Sequence, residues 1–181
     1  MIVFKITVFG QNSGFLKGYI ITNSSDTVRG FVKYINQVPY RVLPDIKFKQ
    51  TEQSKDKKYT PNDLLCYKAD DKIFHSLVLP GVDGTKQFME LVVDGYIKLY
   101  RASVTSFGAP SPTVPGSGTN SYDYLLKKGD KVLFEVTGGK SKDRLSEYLA
   151  DNKEIADKIR SGVYKKGNLQ IIVQEYNNLK R

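Results

Sequence analysis

The stretch LKGYIITNSSDTVRGFVKY, residues 16–34, holds two runs of β-branched and aromatic side chains around a polar segment from Asn23 to Asp26. Such side chains fit a pleated, half-buried surface better than a helix, and polar residues of this kind tolerate turn geometry. The stretch therefore predicts a β-hairpin, with both faces partly covered because neither is cleanly polar. Gly18 and Gly30 stand inside the strands, and they predict bends in a curved sheet rather than a ligand site.

The composition is that of an ordinary globular domain with an excess of positive charge. The chain has 181 residues, 40% hydrophobic and 26% charged, so one domain with a real core is expected. Its 28 Lys and Arg against 19 Asp and Glu give a net charge of +9, which suggests a polyanion partner such as nucleic acid, anionic lipid or acidic glycan. The charge is diffuse, however, and solvated faces or lysines that protect edge strands are the simpler interpretation.

The cysteine count and the hydropathy restrict the class of protein further. Cys66 is the only cysteine, so an intrachain disulfide and a thiolate metal site are both excluded, and we expect a buried apolar role for it. No apolar run is long enough for a transmembrane helix, which needs about eighteen residues.

The first residues, MIVFKITVFGQ at positions 1–11, allow two interpretations. They are too short for a complete signal peptide and carry Lys5 in their middle. Val8-Phe9-Gly10 nevertheless has the small or apolar residues of an export cleavage site before Gln11. The stretch is therefore either the remnant of a signal peptide or a first β-strand, and both stay open.

The middle of the chain predicts further hairpins. Asp94-Gly95 between two β-rich runs is the signal of a two-residue type I′ turn. Thr60, Pro61 and Asp63 have the pattern of a helix start, which predicts one or two helical turns before β character resumes. Residues 106–121, SFGAPSPTVPGSGTNS, are rich in Pro, Gly and Ser and predict a flexible loop.

From Ser141 onward the hydrophobic period changes from two to about 3.6, which predicts helices. Ser141 is expected to cap the first helix, and Asp151 with Glu154 to cap a second that stops at Gly162. A third is expected to start at Asn168. Isolated helices of this length are marginal in water, so these must pack on each other or on the sheet.

Few residues point to chemistry. His75 is the only histidine, and a catalytic Ser-His or Cys-His arrangement would need it together with Cys66 or Ser76, yet no nucleophile signature surrounds them. The carboxylates of Asp70 and Asp71 lack the further oxygen ligands that a cation site needs. We therefore predict no catalytic residue, no metal and no cofactor.

One segment alternates aromatic and basic side chains. Tyr96, Lys98, Tyr100 and Arg101 stand together in YIKLYR, and aromatics interleaved with cations can form a groove for single strands or sugars. Tyrosine is also a common core-edge residue in β-rich proteins. These four residues are the candidate binding residues of the sequence.

Several segments together carry a family resemblance. They are KGYIITNSSDTVRGFVKY, IKFK, YTPNDLLCY, FMELVVDGYIKLYR and YDYLLKKGD, followed by the closing helices. In these segments the chain resembles uncharacterised exported proteins of Bacteroidetes-type bacteria, whose function is unknown. The resemblance implies export, so a periplasmic or secreted location is expected, with a cytoplasmic one as the alternative. It implies no activity.

The sequence predicts an α+β fold in which an antiparallel β-meander, either a curved sheet or a partly closed barrel, precedes a small C-terminal helical unit. Residues 12–138 are expected to form the β part and residues 139–181 the helices, within one domain. We expect a non-catalytic module of the cell envelope or outside the cell, with an envelope component as partner. The alternatives are a binder of polyanions through dispersed Lys, Arg and Tyr and, third, an enzyme with an unrecognised site.

Overall fold

The computed structural model describes residues 14–34, 38–39, 45–79, 84–107, 118–134, 141–164 and 167–180. Both interpretations of residues 1–11 lie outside these ranges. The strands are β1 (Leu16–Thr22), β2 (Thr27–Lys33), β3 (Val38–Pro39), β4 (Ile46–Lys49), β5 (Lys57–Tyr59), β6 (Leu64–Ala69), β7 (Lys72–Val78), β8 (Lys86–Val93), β9 (Lys98–Phe107), β10 (Gly118–Lys128) and β11 (Lys131–Phe134). The helices are α1 (Ser141–Tyr148), α2 (Lys153–Ser161) and α3 (Leu169–Asn178).

The strands form one open antiparallel sheet, and the three helices follow it, so the predicted α+β fold is confirmed. The strand order is β11-β10-β9-β8-β7-β6-β1-β2-β4-β5, and the short β3 pairs in parallel with β9 off this path. Strands β6 to β11 are a simple meander, as predicted. The opening hairpin of β1 and β2 is inserted beside β6, so it lies near the centre of the sheet and not at its edge.

The first half of the sheet curls strongly because of a short connection. Only residues 60–63 join β5 to β6, although β4, β2 and β1 lie between those two strands in the sheet. A flat sheet would separate them by roughly 19 Å sideways and by the length of a strand as well, which exceeds the reach of about five peptide links. The sheet therefore wraps around itself. Inside the curl lies a buried core of Ile20, Val32, Ile46, Phe48, Leu64, Tyr67, Ala69 and Phe88.

Two glycines make this curl sterically possible. Gly18 and Gly30 lie directly opposite each other in the hairpin of β1 and β2. A Cβ atom on Gly18 would lie 1.8 Å from the carbonyl oxygen of Lys68, and one on Gly30 would lie 2.4 Å from that of Lys49. Neighbouring backbones thus approach closely on both sides of the hairpin, and only a residue without a side chain leaves room for this.

The connection itself is a turn, not the short helix that its sequence predicts. Asp63 accepts hydrogen bonds from the backbone N–H and the hydroxyl of Thr60 at 2.7 Å each, which is the predicted capping arrangement. The backbone forms only a single turn, because Leu64 immediately joins the ladder opposite Thr22. Asn23 donates a hydrogen bond to the carbonyl of Asn62 at 2.7 Å and so ties the first hairpin to this turn.

The predicted two-residue turn at Asp94-Gly95 is wrong, although the hairpin exists. Val93 pairs with Leu99, and four residues, 94–97, lie between the end of β8 and the start of β9. The cause is tertiary: the side chain of Asn177 in α3 accepts a hydrogen bond from the Ile97 N–H at 2.7 Å and donates one to the Ile97 carbonyl at 2.9 Å. Ile97 is fully buried among the helices, which outweighs the local turn preference.

The ends of the predicted flexible loop also differ from the prediction. Residues 106–107 belong to β9 and residues 118–121 to β10, and Phe107 pairs with Gly118. Main-chain pairing between the two long strands needs no particular side chain, so it overrides the Gly- and Ser-rich composition there. Residues 108–117, the rest of that predicted loop, lie outside the described residues.

The helices pack on one face of β8 to β11. Their core contains Val93, Ile97, Leu99, Leu126, Leu133, Leu145, Leu149, Ile155, Ile159, Ile172, Val173 and Tyr176. The second helix ends at Gly162 in the left-handed conformation, as predicted. Its N-cap is Asn152, which accepts a hydrogen bond from the Ile155 N–H, and not Asp151, which instead pairs with Lys128 of the sheet.

Replacing Asn177 by alanine is expected to destabilise the fold by about 2–5 kcal/mol, because the buried N–H and carbonyl of Ile97 lose their partners. Urea denaturation measures the effect. Asn178, exposed and next in the same helix, is the matched control, and Asn178→Ala should change stability by less than about 0.5 kcal/mol. Equal effects of the two substitutions would contradict the role given to Asn177.

The Gly18→Ala variant is expected to lose about 3 kcal/mol or more, because the new Cβ overlaps a backbone carbonyl that cannot move without breaking the ladder. Thr27→Ala, at an exposed position of β2, serves as the control and should cost at most about 1 kcal/mol. Thermal unfolding followed by circular dichroism compares them. A Gly18→Ala variant as stable as the parent would show that the strands do not approach this closely.

Candidate functional site

The four candidate binding residues of the sequence do not share one surface. Tyr96 is 57% exposed in the loop before β9, and its ring lies near that of Tyr176. Lys98 forms an ion pair with Asp94 at the start of β9.

Tyr100 and Arg101 lie on opposite faces of β9, since neighbouring residues of a strand alternate. Tyr100 is only 1% exposed, and its hydroxyl lies 3.2 Å from Nδ1 of His75. Burial raises the pKa of this phenol to about 12. Arg101 makes two hydrogen bonds of 3.0 Å to the carboxylate of Glu90, and its guanidinium lies 5.0 Å from the ring centroid of Tyr122. Both of these side chains are therefore engaged within the sheet.

The two residues that a thiol nucleophile would need do come together. Cys66 of β6 and His75 of β7 are directly opposite each other in the antiparallel ladder. Burial raises the pKa of the Cys66 thiol, and burial lowers the pKa of His75. The thiol therefore stays protonated and the imidazole stays neutral, so the two residues do not form the thiolate–imidazolium pair of an activated cysteine. Cys66 is buried, as predicted.

The part of the chain that the structure describes contains no group of three or more His, Cys, Asp or Glu side chains arranged to hold a metal ion. Asp70 and Asp71 occupy the turn between β6 and β7. None of the helices in the described ranges is long and apolar enough to cross a membrane.

The outer side of the curled strands carries a dense set of cations that we call the basic face. In β1, β2, β4 and β6 the apolar residues that fill the curl alternate with residues that point outward. In β5, Lys58 is directly opposite Lys47 and points to the same side. The outward cations are Lys17, Arg29, Lys33, Lys47, Lys49, Lys58 and Lys68.

The strand register arranges these cations in three rows across the sheet. One row is Lys68–Tyr19–Arg29, the next is Lys17–Phe31–Lys49, and the third is Lys33–Lys47–Lys58. Residues directly opposite in such a ladder have Cβ atoms about 4.5–5.5 Å apart. Cations from five strands therefore lie side by side.

Carboxylates neutralise only part of the basic face. Lys47 pairs with Asp56 at 3.0 Å and Lys58 pairs with Asp45 at 2.5 Å. The hydrogen bond from Lys47 lowers the pKa of Asp56, which stays ionised at neutral pH. Among the described residues, Lys17, Arg29, Lys33, Lys49 and Lys68 have no carboxylate within ion-pair distance.

Aromatic rings stand between these cations. The Lys49 ammonium lies 4.7 Å from the ring centroid of Phe15 and 5.8 Å from that of Phe31. Lys33 lies 5.9 Å from the ring of Phe15. The rings of Phe15, Tyr19 and Phe31, which lie on the described part of this face, are partly exposed.

Sequence reasoning did not find the basic face, although part of the signal is visible. Arg29, Phe31 and Lys33 alternate in β2, and Lys47 and Lys49 alternate in β4. Each strand contributes only one or two cations, so none resembles a basic block. The charges become dense only when the ladder places five short strands next to one another.

No family model matches the chain, and no curated protein or solved structure is significantly similar to it.

The stability of the protein is expected to fall as the pH drops below about 6.5, the pKa of histidine in an unfolded chain. Burial lowers the pKa of His75, so the folded state binds fewer protons than the unfolded state in this range. The contribution of neutral His75 to stability is fully present above the pKa that histidine has in the unfolded chain. It is lost as the pH falls to the lower pKa of His75 in the folded state.

His75 is the only histidine, so the stability of His75→Gln should depend less on pH in this range. The loss of stability at lower pH, where carboxylates become protonated, should remain. Urea unfolding between neutral pH and about pH 5 tests the expectation. An unchanged slope in His75→Gln would assign the pH dependence to other groups.

Proposed function

We propose that this chain is a non-catalytic binding module whose basic face holds a polyanion. The observation that carries the proposal is the group of unneutralised cations on the outer side of β1, β2, β4 and β6, which the register brings into adjacent rows. A polyanion gains affinity at such a surface because its condensed counterions are released to the solvent.

Protection of sheet edges by lysine does not account for this arrangement. Edge protection places charges on the outermost strand, and β5 is the strand at that end of the sheet. Lys17, Arg29 and Lys68 belong to interior strands, β1, β2 and β6, which are paired on both sides.

Crowding of like charges on neighbouring strands also has a cost for the fold. Asp56 and Asp45 offset this cost for Lys47 and Lys58. In the described part of the chain, no carboxylate offsets it for the other five cations of the basic face, which are Lys17, Arg29, Lys33, Lys49 and Lys68. Neutral polar side chains, or charges of alternating sign, would keep this surface solvated equally well. Binding of a polyanion accounts for cations at these positions.

The raised pKa of the Cys66 thiol supports the non-catalytic part of the proposal, because burial keeps the sulfur protonated and therefore weakly nucleophilic. A place in the cell envelope or outside the cell is a further part of the proposal, and it rests only on the resemblance to exported proteins.

The Lys17→Gln/Arg29→Gln/Lys33→Gln variant is expected to bind a polyanion at least about tenfold more weakly than the parent at low salt. These three residues are exposed and lack carboxylate partners among the described residues. The dependence of log affinity on log salt should also become shallower by about 2 if the polyanion is single-stranded. Retention on a heparin column and fluorescence anisotropy with a labelled oligonucleotide measure both quantities.

The control for this experiment removes the same number of charges elsewhere. Lys131, Lys142 and Lys153 are exposed on β11, α1 and α2, and their change to Gln should weaken binding by less than about twofold. Equal losses in both triple variants would mean that net charge and not the basic face binds the polyanion. A parent protein that fails to bind at low salt would overturn the proposal.

A further inference from the structure

The basic face has a repeating unit that cations alone do not explain. In two of its three rows an aromatic side chain stands between two cations, Tyr19 between Lys68 and Arg29 and Phe31 between Lys17 and Lys49. Tyr19 and Phe31 belong to paired strands and are diagonal neighbours, because Phe31 is two residues from Arg29, the residue directly opposite Tyr19. Their Cβ atoms are therefore roughly 7–8 Å apart. Two rings on neighbouring rows are thus each flanked by positive charge.

The ring faces are covered by ammonium groups that a ligand can displace. The Lys49 ammonium lies over both Phe15 and Phe31, and the Lys33 ammonium lies over Phe15. Exposed cation–π contacts of this kind are weak, about 0.5–1 kcal/mol, and the Lys49 ammonium also donates a hydrogen bond of 2.9 Å to the exposed Glu52 carbonyl. When a phosphate approaches, the ammonium group can turn toward it, and the face of the ring then becomes free.

This exchange of partners selects among polyanions. A sulfated glycan or an anionic lipid surface presents charges without a flat π system, so it would engage the cations and leave the rings without a role. In duplex DNA or RNA the bases are already stacked inside the helix. A single strand offers both phosphates and unstacked bases, and bases stack on aromatic side chains in a way that tolerates any sequence.

We infer that the polyanion is a single-stranded nucleic acid, whose phosphates contact Lys17, Arg29, Lys33 and Lys49 while its bases stack on Phe31, Tyr19 and Phe15. This inference rests on the proposed function and adds the class of partner. Stacking on an aromatic ring tolerates any base, so binding should depend little on sequence.

The test compares ligands that differ in one property at a time. The parent protein is titrated at low salt with an oligothymidylate of about twelve nucleotides, an abasic oligomer of the same backbone, a duplex of the same length, heparin and vesicles that contain phosphatidylserine. We expect the oligothymidylate to bind about tenfold more tightly than the abasic oligomer and the duplex.

Two aromatic variants separate stacking from charge. Phe31→Leu and, as a second variant, Tyr19→Leu should weaken oligothymidylate binding about tenfold and leave abasic-oligomer binding within about twofold. Tyr122→Leu is the matched control, because Tyr122 is 46% exposed on the other face of the sheet and stacks on Arg101. Circular dichroism confirms that each variant is folded.

The outcomes distinguish the two proposals. If the abasic oligomer, heparin or the vesicles bind as tightly as the oligothymidylate, or if the aromatic variants change nothing, the single-strand inference fails and polyanion binding stands. Tighter binding to the duplex also overturns the inference. If none of the five ligands binds at low salt, both proposals fail.

Discussion

The short link between β5 and β6 is the constraint on which the rest of the structure depends. Because residues 60–63 must carry the chain past three strands, the first half of the sheet has to curl. The curl gives its strands an inner side that is filled by apolar residues and an outer side whose cations are exposed or partly exposed. It also requires Gly18 and Gly30, where backbones approach too closely for any side chain. The basic face is the outer side of this curl, so its position follows from the same constraint.

A second set of contacts attaches the helices to the other half of the sheet. Asn177 satisfies the N–H and the carbonyl of Ile97, and Asp151 accepts hydrogen bonds from Lys128, Tyr176 and Lys180. Burial alone would raise the pKa of Asp151, but these three hydrogen bonds outweigh it and lower the pKa far below its usual range. The carboxylate therefore stays charged and joins α3 to β10. In this half of the molecule the helices cover one face of the sheet. In the other half the sheet curls around its own core and has the basic face on its outer side.

Patterns in single segments predicted much of the fold but little of the site. The hairpin of residues 16–34 and the helix end at Gly162 were predictable because the signals are local: β-branched runs around a polar turn and a glycine that adopts the left-handed conformation. The turn at Asp94-Gly95 was mispredicted because Asn177, eighty positions away, decides the conformation of Ile97. The candidate residues Tyr96, Lys98, Tyr100 and Arg101 are adjacent in sequence, yet strand alternation sends Tyr100 and Arg101 to opposite faces. Sequence proximity was therefore a poor guide to a shared surface.

The sequence by itself determined which residues share a face within each strand, since alternation with period two is a local property of the backbone. It also determined that the chain is cationic, with a net charge of +9. Only the tertiary structure decided which strands are neighbours. Lys17, Phe31 and Lys49 are far apart along the chain and form one row because β1, β2 and β4 pair in this register. Pairing depends on how the whole curled core is filled, and no single segment contains that information.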